Sequence, residues 1–313
     1  MVSCKYSETK KDGEIDPQLK KQIHVLNKRI IEGLVQDKPE LVLANCSDNL
    51  LRKKNDIKEL MQFLKGNLKE NQYKTLNEFY QKNASNKNIG VVHSGKASGH
   101  DYQLRYESLN KEMYVVVGYF GDKTDQKCFA FIYGKRGNIW KLNNIQAGIL
   151  RIMNKDAIDW YQIAISDYQK GYYMDAVCHI GISTQLLNPI NQQWKYQKEK
   201  EIEAFEQKIT KKAYSTYHFP VTVGYVQTKP VIFRVHSQVV PEGYFPLILY
   251  TTTIDLNDIA ALSKECDEIH KNIGKLFKGI DVDNTSILYS PVKTIPVGTT
   301  TTQQHGFIRK TRQ

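Results

Sequence analysis

Residues 101–120 read DYQLRYESLNKEMYVVVGYF. Tyr102, Leu104 and Tyr106 alternate with polar neighbours, and past Asn110 the same two-residue period returns at Val115, Val117 and Tyr119. That period marks strands with one face buried. Toward the N-terminus the pattern changes. Leu19, Ile23, Leu26, Ile30 and Leu34 recur at steps of three and four, which puts them on one helix face. Asp16-Pro17 supplies that helix with a capping carboxylate and a proline at its first position. A second helix restarts after Asp37-Lys38-Pro39, and a third near Asp56 carries Ile57, Leu60, Met61, Leu64 and Leu68. Leu76, Phe79 and Tyr80 read as its continuation or as a separate short helix. Toward the C-terminus, strands are expected at about 89–95, 101–108, 112–120, 126–134 and 138–149, parted by turn-rich segments. Helices followed by an antiparallel run predict an α+β domain over 16–150, a curved sheet with its buried face under the helices.

A chain of 313 residues with 41% hydrophobic and 25% charged residues has the composition of a globular protein of two or three domains. No run of about eighteen apolar residues occurs. The net charge of +11 comes from lysines scattered among acidic residues, with no arginine-rich helix or zinc finger, so specific nucleic-acid binding is not expected. The five cysteines form no CxxC pair and no Cys/His cluster at metal spacing. Cys46, Cys128, Cys178 and Cys266 sit in apolar segments and read as small buried hydrophobes. Neither a metal site nor a cofactor is expected.

The order of elements, with the last strand running Gly137-x-x-Trp140-Lys141-Leu142, resembles the nuclear-transport-factor-two-like (cystatin-like cone) superfamily over residues 17–150. The resemblance implies a cone-shaped domain that can hold a pocket. It implies little about function, since isomerases, dehydratases and pure binding modules share that fold. Candidate pocket residues are Tyr102, Leu104, Tyr106, Tyr119, Phe131 and Trp140, an aromatic set whose strand parity leaves open which members face inward.

Residues 151–213 read as a helical connector. Trp160, Ile163, Ala164, Gly171, Ala176, Ile180 and Ser183 approximate a single tetratricopeptide-like hairpin, and Gln193–Lys212 reads as a third helix. Tyr161, Tyr172 and Tyr173 are its candidate partner contacts. Residues 214–313 read as a second α+β domain: strands at His218–Gln227, Pro230–Val240 and Tyr244–Ile254, a helix from Asp255 to Gly279, then strands near Ile287–Tyr289 and Phe307–Arg309.

Met1-Val2-Ser3-Cys4, followed by a polar stretch, resembles the end of a bacterial lipoprotein signal. That resemblance implies a lipid anchor at Cys4, a flexible tether over 1–15 and a place in the cell envelope; an unprocessed chain would be cytoplasmic. His93, His100 and Asp101 form the compact titratable cluster, at an expected loop. No nucleophile elbow, phosphate loop or paired histidines accompany it, so no catalytic residue is assigned. The reading is a non-enzymatic, lipoprotein-like binding protein for a small apolar ligand or a protein partner. Its alternatives are an isomerase- or hydrolase-type enzyme using Tyr102, Tyr106 or Asp101, and a helical-repeat adaptor docking another protein through residues 156–212.

Overall fold

The computed structural model describes residues 8–64, 68–84, 88–96, 99–121, 125–240, 243–296 and 306–311. The protein is α+β, and its sheets are mostly antiparallel. It folds as two compact units, one built from residues up to Asp156 plus Leu186–Glu199, the other from Ala157–Gln185 and the chain from Lys200 onward. The helical segment read as a connector is thus divided between them.

The first unit carries β1 (Glu8–Lys11), α1 (Pro17–Val35), α2 (Pro39–Leu43), α3 (Asp48–Leu51) and α4 (Lys54–Leu64), then β2 (Lys74–Lys82), β3 (Asn88–His93), β4 (Tyr102–Ser108), β5 (Glu112–Phe120), β6 (Gln126–Arg136) and β7 (Ile139–Arg151). Asp16 caps α1 as its sequence foretells, its carboxylate accepting from the N–H groups of Gln18 at 3.0 Å and Leu19 at 2.9 Å. The main sheet has the order β1-β2-β5-β6-β7, antiparallel throughout. Its central strand, β5, is buried along nearly its whole length. Tyr114, Val116 and Phe120 project into a core shared with Phe129, Phe131 and Tyr133 of β6, Trp140 of β7, and Ile23, Ile30 and Leu34 of α1. Met113, Val115 and Val117 point the other way and are equally buried.

That second face is covered by a small sheet of order β3-β4-β9, whose last strand comes from far along the chain, after α5 (Ala157–Lys170), α6 (Tyr173–Gln185) and β8 (Pro189–Gln192), as β9 (Trp194–Tyr196). The Tyr102 hydroxyl donates to Asn77 Oδ1 at 2.8 Å and the Tyr106 hydroxyl to Gln81 Oε1. Asn77 and Gln81 lie on the face of β2 opposite Glu78, which ties the small sheet to the side away from the helices.

Two segments differ in type from the expectation. Residues 74–82 are a strand, not a helix. Leu76, Phe79 and Tyr80 fall at helical spacing only because β2 is lined on both faces, which erases the two-residue period. Trp194 and Tyr196 belong to a strand, where Trp194 stacks on Tyr102 at 3.6 Å between ring centroids; the helix begins at Glu199.

The second unit adds α7 (Glu199–Tyr217), β10 (Val221–Thr222), β11 (Val231–Val240), β12 (Gly243–Thr251), α8 (Ile259–His270), α9 (Ile273–Leu276), β13 (Ser286–Val292) and β14 (Phe307–Lys310). The sheet runs β10-β11-β12-β13-β14, with β12 and β13 parallel and the α8–α9 segment making the crossover they require. Asp258 caps α8 through a 2.9 Å bond from the Ala261 N–H, so that helix opens later than Asp255. Met174 and Cys178 of α6, Ala213 of α7 and Cys266 and Ile269 of α8 share one core with Ile248, Tyr250, Ile287 and Tyr289. The strand expected over 218–227 shrinks to Val221–Thr222: α7 continues to Tyr217, and the chain turns from Gly224 to Thr228. Cys46, Cys128, Cys178 and Cys266 are all buried free thiols.

Candidate ligand-binding site

The aromatic pocket candidates divide between the two faces of the main sheet. Phe131 and Trp140 stand in the helix-covered core. Tyr102, Leu104 and Tyr106 belong to the small sheet on the opposite side. Tyr119 shares the parity of Val115 and Val117, with the Arg151 guanidinium 6.0 Å from its ring centre. The aromatic rings of the helix-covered core pack on one another: Phe120 meets Phe129 at 5.1 Å, Phe129 meets Phe131 at 5.8 Å, and Tyr73 closes on Phe120 at 5.0 Å.

One polar spine crosses that core, and the sequence reading missed it. The buried Glu78 carboxylate accepts from the Tyr114 hydroxyl at 2.8 Å, sits 2.8 Å from His24 Nε2 and pairs with Lys20 Nζ at 3.0 Å. Deeper in, the Tyr133 hydroxyl donates to Asn27 Oδ1 at 2.6 Å, and Asn27 Nδ2 donates to the Tyr73 oxygen at 3.1 Å. Burial pushes the Tyr73 phenol up to about 12. Every polar atom named here has a partner, which is how a polar group is held in a core. Glu78 was hidden because its strand was read as helix.

Asp101 caps a turn. Burial pushes its carboxyl up, but bonds from the Ser94 hydroxyl at 2.6 Å and the Gly95 N–H at 2.7 Å outweigh that and hold it below the usual carboxylate range. His100 Nδ1 lies 2.8 Å from Asp156, and His93 is exposed. Cys4 falls outside the described residues. In the second unit Tyr161 donates to Glu201 at 2.8 Å, while Tyr172 and Tyr173 sit under lysine ammonium groups.

A cleft of about 690 Å³ lies elsewhere in the first unit, between the α2–α3 turn, the β4–β5 turn and the β6–β7 hairpin. Its geometry starts from a β-bulge. Ile132 faces Asn144 and Tyr133 faces Leu142, which leaves Asn143 without an opposite number in β6. A bulge of this kind re-aims the side chain it frees. Asn143 Nδ2 donates to Asn110 Oδ1 at 2.7 Å, and the pair crosses β6 directly over Gly134. A Cβ on Gly134 would lie 2.0 Å from Asn110 Oδ1 and 2.2 Å from Asn143 Nδ2, so only glycine admits the amide pair.

Around that amide floor stand Arg52, Arg136 and Lys141. Lys141 Nζ donates to the Ala44 carbonyl at 2.8 Å. Arg136 pairs with Asp48 at 3.1 Å, but both are almost fully exposed, so the pair is weak and exchangeable. Arg52 is exposed and has no partner among the described residues. Cys46 sits at the base, its thiol pushed up to about 11 by burial against the opposing pull of Lys141, and so is protonated at neutral pH. No histidine lines the cleft among the described residues. No family model, curated protein or solved structure matches this chain.

Proposed function

We propose that this protein is a non-enzymatic binding protein whose first unit takes a small hydroxylated anion, of sugar-acid type, in the cleft over Asn143. The observation that carries the reading is the bulge-placed Asn143–Asn110 pair seated on Gly134 in a cleft that the exposed Arg52 also lines. Amide groups offer both donors and acceptors, which suits hydroxyls. A guanidinium offers two parallel N–H groups to a carboxylate. Ile139, 63% exposed on the rim, supplies an apolar surface for the C–H face of a ring.

The cleft is polar, and the aromatic interior is packed, so a polar ligand is favoured over an apolar one. The non-catalytic half of the reading is supported by chemistry. Among the described residues that line the cleft, Asp48 is the one carboxylate and faces an arginine, the thiol is protonated, and there is no imidazole. An enzyme built on Tyr102 or Tyr106 is less supported, since both hydroxyls are engaged by Asn77 and Gln81. An envelope anchor through Cys4 is a separate proposal, tested by metabolic labelling with a fatty-acid probe and its loss in Cys4→Ser.

Calorimetric titration of the full chain with glucuronate and with glucose tests the cleft. Glucuronate should bind at least about tenfold more tightly than glucose, and Arg52→Glu should abolish the difference, as reversal of a charge-assisted bond requires. Equal binding of the two sugars, no change in Arg52→Glu, or turnover of the sugar acid would refute the reading.

A further inference from the structure

The second unit carries a face of a different kind, and it stands independently of the cleft. An aromatic ladder runs between α5 and α7: Tyr161 to Phe205 at 5.4 Å, Phe205 to Tyr168 at 5.8 Å, and Tyr168 to Tyr173 at 5.5 Å. Lysines from α7 lie on it, Lys208 Nζ 5.1 Å from the Tyr168 ring centre and Lys212 Nζ 5.4 Å from Tyr173. At the α5–α6 turn, Lys170 and Lys278 both approach Tyr172, each at 5.6 Å. The Tyr172 ring lies against Gly279, where φ is +97° and a Cβ would meet the ring at 2.2 Å.

Lys208, Lys211, Lys212 and Lys278 are exposed, and none has a carboxylate within ion-pair distance among the described residues. Only Lys170 is matched, by Asp283 at 3.0 Å. The charge along α7 is biased: Glu199, Glu201, Glu203 and Glu206 outnumber Lys200 in its first half, while Lys208, Lys211 and Lys212 meet no acidic residue in its second. Excess positive charge is therefore concentrated on the ring-bearing end. Contact with a ring face restrains an ammonium, so less freedom is left to lose when an anion arrives.

We infer that this lysine–tyrosine face, from the α5–α6 turn along the second half of α7, docks on an anionic lipid surface. Lysine and tyrosine each pair an apolar body with a polar tip, which places both at a membrane–water boundary. The segments 157–185, 199–217 and 271–283 contain no arginine, so the planar fork that reads nucleic-acid phosphates is missing. No helix among the described residues is long and apolar enough to cross a membrane, so the contact is peripheral. Each lysine near an anionic surface raises partitioning about fivefold, and the four unmatched ones together several hundredfold.

The test is co-sedimentation of the full chain with vesicles of phosphatidylcholine, with and without about one-third phosphatidylglycerol. Anionic vesicles should take up the protein at least about 100-fold more strongly in about 0.1 M salt, and the preference should collapse in about 0.5 M salt. Replacing Lys208, Lys211, Lys212 and Lys278 together by glutamine should remove the preference while the variant keeps the wild-type circular dichroism spectrum at assay temperature. Lys211→Glu alone, which disturbs no ring contact, should reduce binding about tenfold or more. Equal uptake by neutral and anionic vesicles, wild-type uptake by Lys211→Glu, or displacement from vesicles by equimolar single-stranded oligonucleotide would each overturn the inference.

Discussion

Asp175 offers a quantitative test of the second unit. It lies in the first turn of α6 and is fully buried. Its Oδ1 accepts from Asn284 Nδ2 at 2.6 Å, while Oδ2 has no partner. Burial pushes its carboxyl up to about 7, against the Asn284 bond and the nearby His179, and with the help of Asp167 and Asp283. An acid held higher in the folded than in the unfolded chain stabilises the fold fully at low pH. That contribution disappears as pH rises through the folded value. From the ordinary 3.8 to about 7 is about three units, at about 1.4 kcal/mol each, or about 4 kcal/mol lost across that window. Local relaxation lowers the figure, so about 2–4 kcal/mol is expected. Asp175→Asn keeps the acceptor for Asn284 and cannot ionise. Urea unfolding followed by circular dichroism should find it about 2–4 kcal/mol more stable than wild type at pH 8.5, with the gap closing toward pH 4.5. Parallel pH profiles for the two proteins, or a variant weaker than wild type at pH 8.5, would refute the assignment of a strained, ionised Asp175.

In the first unit, Gly134→Ala should part the Asn110–Asn143 amides, cost about 1–3 kcal/mol in urea unfolding and weaken glucuronate binding about tenfold or more; full affinity in that variant would show that the amide pair does not hold the ligand. Trp194→Ala empties a fully buried site against Tyr102 and should cost about 3–5 kcal/mol, read as a lower urea midpoint for the first unit. A loss below about 1 kcal/mol would mean that β9 does not brace the small sheet.

Much of the fold is legible in particular residues. Asp16-Pro17 fixes the start of α1, and the Val115, Val117, Tyr119 alternation sits in β5. Its limit shows at β2, where Glu78 and Phe79 are both buried because both faces of the strand are covered. Periodicity registers one buried face, and two cancel it. The aromatic candidates failed to converge because they belong to two sheets: Phe131 stands in the helix-covered core of the main sheet and Tyr102 in the small sheet, and burial alone does not tell the two apart. The cleft residues carried less signal still. Asn110 and Asn143 read as turn and strand polars, and nothing local announces the bulge that brings them to 2.7 Å over Gly134.

The chain by itself determined its class, the cap of α1 and the burial of Cys46, Cys128, Cys178 and Cys266, because each follows from the chemistry of a few neighbouring residues. Tertiary structure alone decided that Trp194 completes a sheet begun at Asn88, that Glu78 gathers Lys20, His24 and Tyr114, and that lysines from α7 settle on tyrosines of α5 and α6. Those partners lie tens of residues apart, and their meeting is set by strand register and by which face each element buries, quantities that no local window contains.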